Sequence, residues 1–454
     1  MGEHVAPPST IVIGDEAKKQ FLAWADSEQD IQISKDIDLF HSFSEGYRGV
    51  LATKDIASGV VLVRIARKCC LGPETTDESK DAWTKAMTAQ ASAPNTSHGD
   101  SSKPPPPRLT RACMTVLRLL HERGLGRPSH FHPYLSVLPH DHRLPLEWNE
   151  AELELLQGTS VEPLVSAGSL DSQFEAFRRV VTQHPALWEP SMRTKTAFAK
   201  GVNWVRSRGF TVLGDPHMIP GADMFNHDPN KQSVQIGTDG DDHFVMKTVQ
   251  PVKAGNEVFS SFGHISNAQL LNSYGFVLPD NSFDTVLIPT KLVIDTCHAT
   301  FLKLEGDKLD EAKAQETWEQ RLAMVASNRN VEEGEQEAFV ISKYDLLPES
   351  LADMVQILTM SSDEEVAYAA IASVSQAKVG LYSPLLEKGN NASTEIGGDA
   401  RALAKMLVTE EKKVLNDLRH QLMSVILDEG EDEDSGDNSR AVEDHDMSAK
   451  RRKT

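Results

Sequence analysis

The chain has 454 residues, 39% hydrophobic and 25% charged, enough for two or three packed domains and too ordinary a balance for wholesale disorder. Its net charge of −21, from 46 basic against 67 acidic residues, argues against nucleic acid as the main ligand and suits a basic protein or peptide. No apolar run approaches the ~18 residues of a membrane span, and Cys69, Cys70, Cys113 and Cys297 form no C-x-x-C pair, which predicts a reducing compartment and no structural zinc.

In chain order, "RGVLATKDIASGVVLVRI" (48–65) alternates through a "DIASG" turn into an apolar run and predicts two strands of one hairpin. Residues 72–107, rich in Ser, Thr, Pro and charge, read as a solvated insertion with a stiff proline spacer. Helical spacing follows from Leu109 to about Phe198, with Phe198, Val202 and Val205 on one face. Strands return in "SVQIG" and "HFVMKTVQPV", with Asp239-Gly240 as their hairpin turn. After Pro289 helices dominate, and Leu403, Leu407, Val414, Leu418, Leu422 and Val425 form an amphipathic stripe. From Asp428 an acidic tail ends in the basic cluster Lys450 to Lys453, either a nuclear address or a solubilising end. The class predicted is α+β: short strands, a helical insertion, more strands, then a helical domain.

Three stretches could carry chemistry. "SHFHPYLSVLPHDH" places His130, His132, His140 and His142 as two H-x-H pairs, but the prolines make it rigid loop, and histidines beside a buried Tyr134-Leu135 anchor are preferred to a metal site. "ADMFNHDPN" (222–230) runs from an apolar turn into Asn226, His227 and Asp228; a metal cage, an acid–base pair and a backbone clamp for a small molecule all fit. In "SSFGHISNAQLLNSYGFVLPDN" (260–281), Ser266 and Gln269 have capping-box spacing, so a two-turn helix starts at Asn267 and Gly275 ends it just after Tyr274. Phosphate-binding, nucleophile-elbow and H-E-x-x-H motifs are missing from the sequence.

In that order, "EGYRGVLATKDIASGVVLVRI", "SRGF", "ADMFNH" and "SNAQLLNSYGFV" resemble the SET domain of protein lysine methyltransferases, in the branch typified by the plant Rubisco large-subunit methyltransferase. "HPYLSVLPHDHRLPLEW…LQGT" is similar to that branch's helical insert and "EQEAFVISKYDLLPESL" to its C-terminal domain, closest to nuclear and ribosomal-protein lysine methyltransferases. The resemblance covers roughly residues 20–427 without the 72–107 insertion. It implies an N-terminal extension (1–19), a SET domain in two parts (20–71 and 201–290) around the disordered insertion and a helical insert (108–200), a helical substrate-binding domain (291–427) and a disordered tail (428–454).

The resemblance further implies S-adenosylmethionine as cofactor and transfer of its methyl group to a lysine amine of a non-histone protein. Glu45, Gly46 and Tyr47 would hold the amino-acid end of the cofactor, with Asn226 and His227 clamping it, His227 through its main chain on the adenine. Arg208 would lie near the cofactor carboxylate or the substrate, Asp223 would line the lysine channel, Phe262 and Phe276 would wall it, and Tyr274 would be the catalytic tyrosine at the edge of the cofactor site. Phe262-Gly263 stands where many relatives have Tyr-Gly, and the missing hydroxyl bears on how many methyl groups are added. The implied partner is a basic ribosomal or nuclear protein, met by a monomer in the nucleus or cytoplasm, with no metal, nucleic acid or membrane. Histidine methylation by the same branch, or a non-catalytic peptide-binding adaptor, are the alternatives.

Overall fold

A computed structural model describes residues 13–28, 30–44, 47–73, 109–167, 170–212, 214–240, 242–305, 308–327, 337–360, 364–387 and 396–432. Glu45, Gly46, nearly all of the 72–107 insertion and the terminal basic cluster lie outside the described residues. Two compact units are present: Met1–Leu287 with Val340–Asp345 and Lys378–Val414, and Ile288–Phe339 with Leu346–Ala377 and Leu415–Thr454. Among the described residues no helix is long and apolar enough to cross a membrane. Helices of eight or more residues are numbered below.

In the first unit, helix α1 (Asp15–Ser27) precedes strands β1 (Ile31–Ile33), β2 (Ile37–Ser44), β3 (Tyr47–Ala52) and β4 (Val61–Ala66). Strands β5 (Gly209–Val212), β6 (Asp215–Met218), β7 (Val234–Asp239) and β8 (His243–Thr248) come after the helical insert. An antiparallel sheet has the order β1-β4-β8-β7, and β7 turns into β8 at Asp239–His243 as expected. Strand β4 is central, so Leu62, Val63 and Ile65 are all buried, consistent with its nearly continuous apolar run.

The hairpin expected across residues 48–65 is corrected by the structure: both strands form but they do not pair. Strand β3 pairs with β2, whereas β4 pairs with β1 and β8. The intervening backbone finds its partners elsewhere, Ile56 exchanging hydrogen bonds with Val252 and the Gly59 amide donating to Thr248. With Ile56 buried as an anchor, the connection crosses between sheets instead of folding back. The free edge of β3 is taken by residues 256–258, through Ala52 to Asn256 and Val258 to Val50. The same segment then runs parallel to the 226–232 loop, with bridges His227↔Ser260 and Gln232↔Phe259.

The insert contains α2 (Arg111–Leu125), α3 (Asp171–Gln183) and α4 (Lys195–Arg208). Thr110 and Thr194 cap α2 and α4 by accepting from the amides of Cys113 and Ala197. Phe198, Val202 and Val205 are buried, the face their spacing predicts. Tyr134 and Leu135 are buried too, so the histidine-rich loop is anchored as read. Trp188 and Trp204 donate their indole N–H groups to the carbonyls of Leu117 and Pro139, 2.9 and 2.8 Å, which satisfies the polar end of each buried ring. The short helix α5 (Asn267–Tyr274) has the capping box at Ser266 and Gln269 and Gly275 as its C-cap, as the sequence predicts.

Helices α6 (Thr290–Leu304), α7 (Glu311–Ser327), α8 (Glu349–Thr359) and most of α9 (Glu364–Gly380) make up the second unit with the later turns of α10 (Gly398–Asp432). Its core includes Phe301, Trp318, Leu351, Leu358, Ile371 and Leu418. Buried Arg321 lies 4.6 Å over the Phe301 ring, donates to the Leu358 carbonyl at 2.9 Å and pairs with Glu305. Of the α10 stripe, Leu403, Leu407, Val414, Leu418 and Leu422 are buried; the Val425 side chain lies outside the described residues.

Candidate active site

Two segments far apart in sequence meet at one carboxylate. Asn226 donates its side-chain amide to the Arg48 carbonyl at 2.7 Å and to Glu257 Oε1 at 2.8 Å. The Tyr47 hydroxyl donates to Glu257 Oε2, also at 2.8 Å. Burial pushes the Glu257 carboxyl up to about 7, against the opposing pull of these two donors.

The next residue, His227, is flanked by two main-chain hydrogen bonds to Ser260. Ser260 donates to the Asn226 carbonyl and accepts from the Asp228 amide, so the main-chain N–H and C=O of His227 point to the opposite edge. Among the described residues they make no hydrogen bond, leaving an adjacent donor and acceptor. The ring is tied by Nδ1, which accepts from the Phe262 amide at 2.9 Å. Burial holds the imidazole down at about 4, so it is neutral near pH 7 and carries its proton on Nε2, which is buried without a partner.

From this ring an aromatic stack leads to Tyr274. His227 lies 4.9 Å from Phe262, and Phe262 lies 4.6 Å from Tyr274, both pairs stacked; Phe276 is 6.3 and 6.4 Å from His227 and Tyr274. A cavity of about 320 Å³ adjoins the stack, lined by Arg208, Phe210, Asp223, Phe225, Phe262 and Tyr274 among others. Arg208 reaches it from the last turn of α4 and Asp223 from the turn before Asn226. Tyr47, Asn226, His227 and Phe276 do not line this cavity; they stand on the neighbouring segments just described.

Charges are concentrated here. Arg208 Nη1 donates to the Asp223 carbonyl at 3.0 Å and lies 3.6 Å from its carboxylate, while the buried Tyr134 hydroxyl donates to Asp223 Oδ2 at 3.0 Å. Burial raises the Asp223 carboxyl, and the Arg208 cation and Tyr134 hydroxyl oppose it. Arg48 is pushed down to about 9 by burial and the nearby Arg208 cation. Arg48 Nε, Arg208 Nε, Asp223 Oδ1 and His227 Nε2 are all buried without partners. Such groups are costly unless a ligand completes them, and four around one site is a pointer to one.

The four loop histidines do not form one cluster among the described residues. His130 sits 3.9 Å from Glu28, within a grouping of Glu28, Cys69 and His130, and His140 contacts Arg123 and Trp204. His142 is buried behind Tyr274, bonded to the Tyr274 backbone, and held down at about 4 by burial and by the Arg208 and Lys200 cations. Gly275 packs directly on it: at φ +73°, an added Cβ would lie 2.5 Å from His142 Cε1 and 3.0 Å from the Arg143 carbonyl. Gly275→Ala is therefore expected to lower stability by at least ~2 kcal/mol and to shift Tyr274, read as a lower urea midpoint and reduced turnover. An unchanged midpoint would contradict this packing.

Sequence reasoning missed Arg48, Glu257 and the placement of His142. A carboxylate inside the apolar "NEVF" (256–259) was the available signal for Glu257.

Residues 47–263 match the SET domain family. The chain is similar to the N-lysine methyltransferase SETD6 of Mus musculus, 26% identical over 76% of this chain and 70% of the relative, and of Bos taurus, 30% identical over 56% and 58%. Among solved structures it is similar to Rubisco LSMT bound to sinefungin and monomethyllysine (TM-score 0.59, 19% identity, 90% of this chain and 92% of that one). Rubisco LSMT bound to AdoMet gives a TM-score of 0.55 at 18% identity, again over 90% and 92%. With the expected strands, insert and capped helix in place, the chain has the fold of the Rubisco LSMT structures, and residues 47–263 of it carry the SET domain.

Proposed function

We infer that this chain is a protein-lysine N-methyltransferase, moving a methyl group from S-adenosylmethionine to the side-chain amine of a lysine in a non-histone protein. The observation that carries this reading is the meeting of the 47–49 and 226–227 segments at Glu257, beside a cavity lined by Arg208, Asp223, Phe262 and Tyr274. The groups present fit the donor. Arg48, Arg208 and Asp223 offer unpaired cationic and anionic atoms to an amino-acid end, and the free edge of His227 offers a donor and acceptor to an adenine. Glu45 and Gly46 belong to the same segment as Tyr47 and are proposed to hold the amino-acid end with it.

When bound, S-adenosylmethionine supplies an electrophilic methyl group on a sulfonium, open to in-line attack by an amine. The protein must deliver that amine neutral, and holding a lysine of pKa ~10.4 unprotonated at pH 7 costs on the order of 4–5 kcal/mol. Phe225 and Phe262 give the cavity apolar walls, with Phe276 packed beside Tyr274, which desolvate the ammonium and lower its pKa. Their ring faces also attract the incoming cation. Asp223 lines the entry and Tyr274 directs its hydroxyl to the reacting amine, so no strong base is needed. Alignment of both reactants contributes ~7–11 kcal/mol when near-attack geometry is reached.

The finer reading is a basic ribosomal or nuclear protein as substrate, met by a monomer in the nucleus or cytoplasm; the net charge of −21 supports it. The SET parts at 20–71 and 201–290 hold the chemistry, and residues 291–427 present the substrate. Phe262, in place of a tyrosine, leaves room without a hydroxyl beside the amine and bears on product multiplicity.

Asn226→Ala is expected to weaken S-adenosylmethionine at least ~tenfold by calorimetry, since two hydrogen bonds that order the clamp are lost. Unchanged affinity contradicts the clamp. The reading as a whole is tested by labelled S-adenosylmethionine with a matching cell lysate, followed by mass spectrometry of the labelled band. Methyl-lysine is the expected product; methyl-histidine, or no label, would overturn the lysine assignment.

A further inference from the structure

We propose that Glu257 is a positioning residue that locks the 47–49 segment onto Asn226 and makes affinity for the methyl donor depend on pH. This rests on the reading of Asn226 as part of the cofactor clamp.

Glu257 sits on the segment that closes the free edge of β3, and Leu51 bridges to it. Its two oxygens serve different chain segments, Oε1 accepting from Asn226 and Oε2 from the Tyr47 hydroxyl. The fit is tight: a Cβ on Gly49 would lie 2.1 Å from Oε1 and 2.9 Å from the Asn226 amide. Only a glycine at position 49 allows the carboxylate so close to the β3 backbone. The charged form accepts both hydrogen bonds; a protonated carboxyl has a donor where Tyr47 or Asn226 already donates. Ionised Glu257 is thus the locked state, and its negative charge also favours a donor that carries a sulfonium.

Other groups around it do not replace this role. Asp228 and Lys231 act on Glu257 through space, raising and lowering its carboxyl respectively, and pair with one another at 2.8 Å. Arg48 contributes its carbonyl to Asn226, while its guanidinium reaches the Met224 sulfur. The carboxyl, raised by burial to about 7, changes charge across the pH range where the enzyme is assayed.

The sign for the fold is opposite to the sign for binding. A carboxyl whose folded pKa lies above its unfolded value stabilises the fold when protonated. That contribution is full below the unfolded value near 4.5 and is lost as pH rises through about 7. Binding requires the ionised form, so affinity rises through the same interval.

Glu257→Gln is the test, measured without and with S-adenosylmethionine between pH ~5.5 and ~8.5. In urea denaturation without ligand, the wild type is expected to lose stability relative to the variant as pH rises through about 7. In calorimetry the wild-type affinity is expected to rise at least ~fivefold across that interval relative to the variant, which binds at least ~tenfold more weakly at the upper end. The donor's own amino group titrates near ~8 in both experiments and cancels in the comparison. Equal affinity and equal pH profiles in the two proteins overturn the positioning role while leaving the methyl-donor reading standing. Failure of the wild type to bind the donor at any pH overturns that reading and the coupling with it, even where the stability difference is seen.

Discussion

Replacing Tyr274 with phenylalanine is expected to cut turnover at least ~tenfold while leaving S-adenosylmethionine affinity nearly unchanged, a loss of about 1.4 kcal/mol or more confined to the transition state. The residue stands at the end of a helix fixed at both ends, by the Ser266–Gln269 box and by Gly275 packed on His142. Its ring is stacked on Phe262 and lines the cavity, and burial raises its phenol, which stays protonated at neutral pH. Among the described residues the hydroxyl has no hydrogen-bond partner, so removing it disturbs no packing bond. Phe262 contributes a ring and no hydroxyl, which leaves Tyr274 as the sole phenol lining the cavity among the described residues. Single-turnover assays with a lysine peptide and calorimetry on the same variant separate the two parameters. Full turnover would remove the catalytic role, and a large loss of donor affinity would move Tyr274 into the clamp.

What the sequence made legible was local. The two-turn helix at 267–274 could be read because its capping box and terminal glycine lie within ten residues, and both determine backbone geometry by themselves. The β7–β8 hairpin was legible for the same reason. The supposed hairpin across 48–65 was not: alternation announced two strands, but their partners lie outside the segment, β2 for one and β1 and β8 for the other, and the connection between them bonds to Val252. Glu257 stayed hidden because its meaning exists only in space, 210 residues from Tyr47 and 31 from Asn226. The histidine-rich loop attracted attention as a possible metal site, yet His142 turns out to brace the turn behind Tyr274 through its bulk. Arg48 shows the converse: nothing in "YRGV" distinguishes a surface arginine from one buried beside a second guanidinium.

The larger loss is expected from Arg208→Leu. Arg208 and Asp223 have side chains only 10% and 0% exposed, and their charges offset one another at 3.6 Å. Removing one member of a buried pair leaves the other uncompensated, at a cost of ~3–5 kcal/mol. Tyr134 still donates to Asp223 Oδ2 and the Arg48 cation still acts on it, but among the described residues Oδ1 is already unpartnered. The Asp223 carboxyl, raised by burial already, rises further, so the deficit is greatest at high pH and shrinks as pH falls and the group takes a proton. Donor affinity is expected to fall at least ~100-fold, because a carboxylate loses one of its two nearby cations and faces an unmasked anion. Adding Asp223→Asn separates the two effects. The double variant recovers most of the stability, since the stranded charge is gone, but not the affinity, since the cation is still missing. Affinity recovering together with stability would mean that Arg208 serves the fold alone, and the amino-acid end of the donor would have to be held elsewhere.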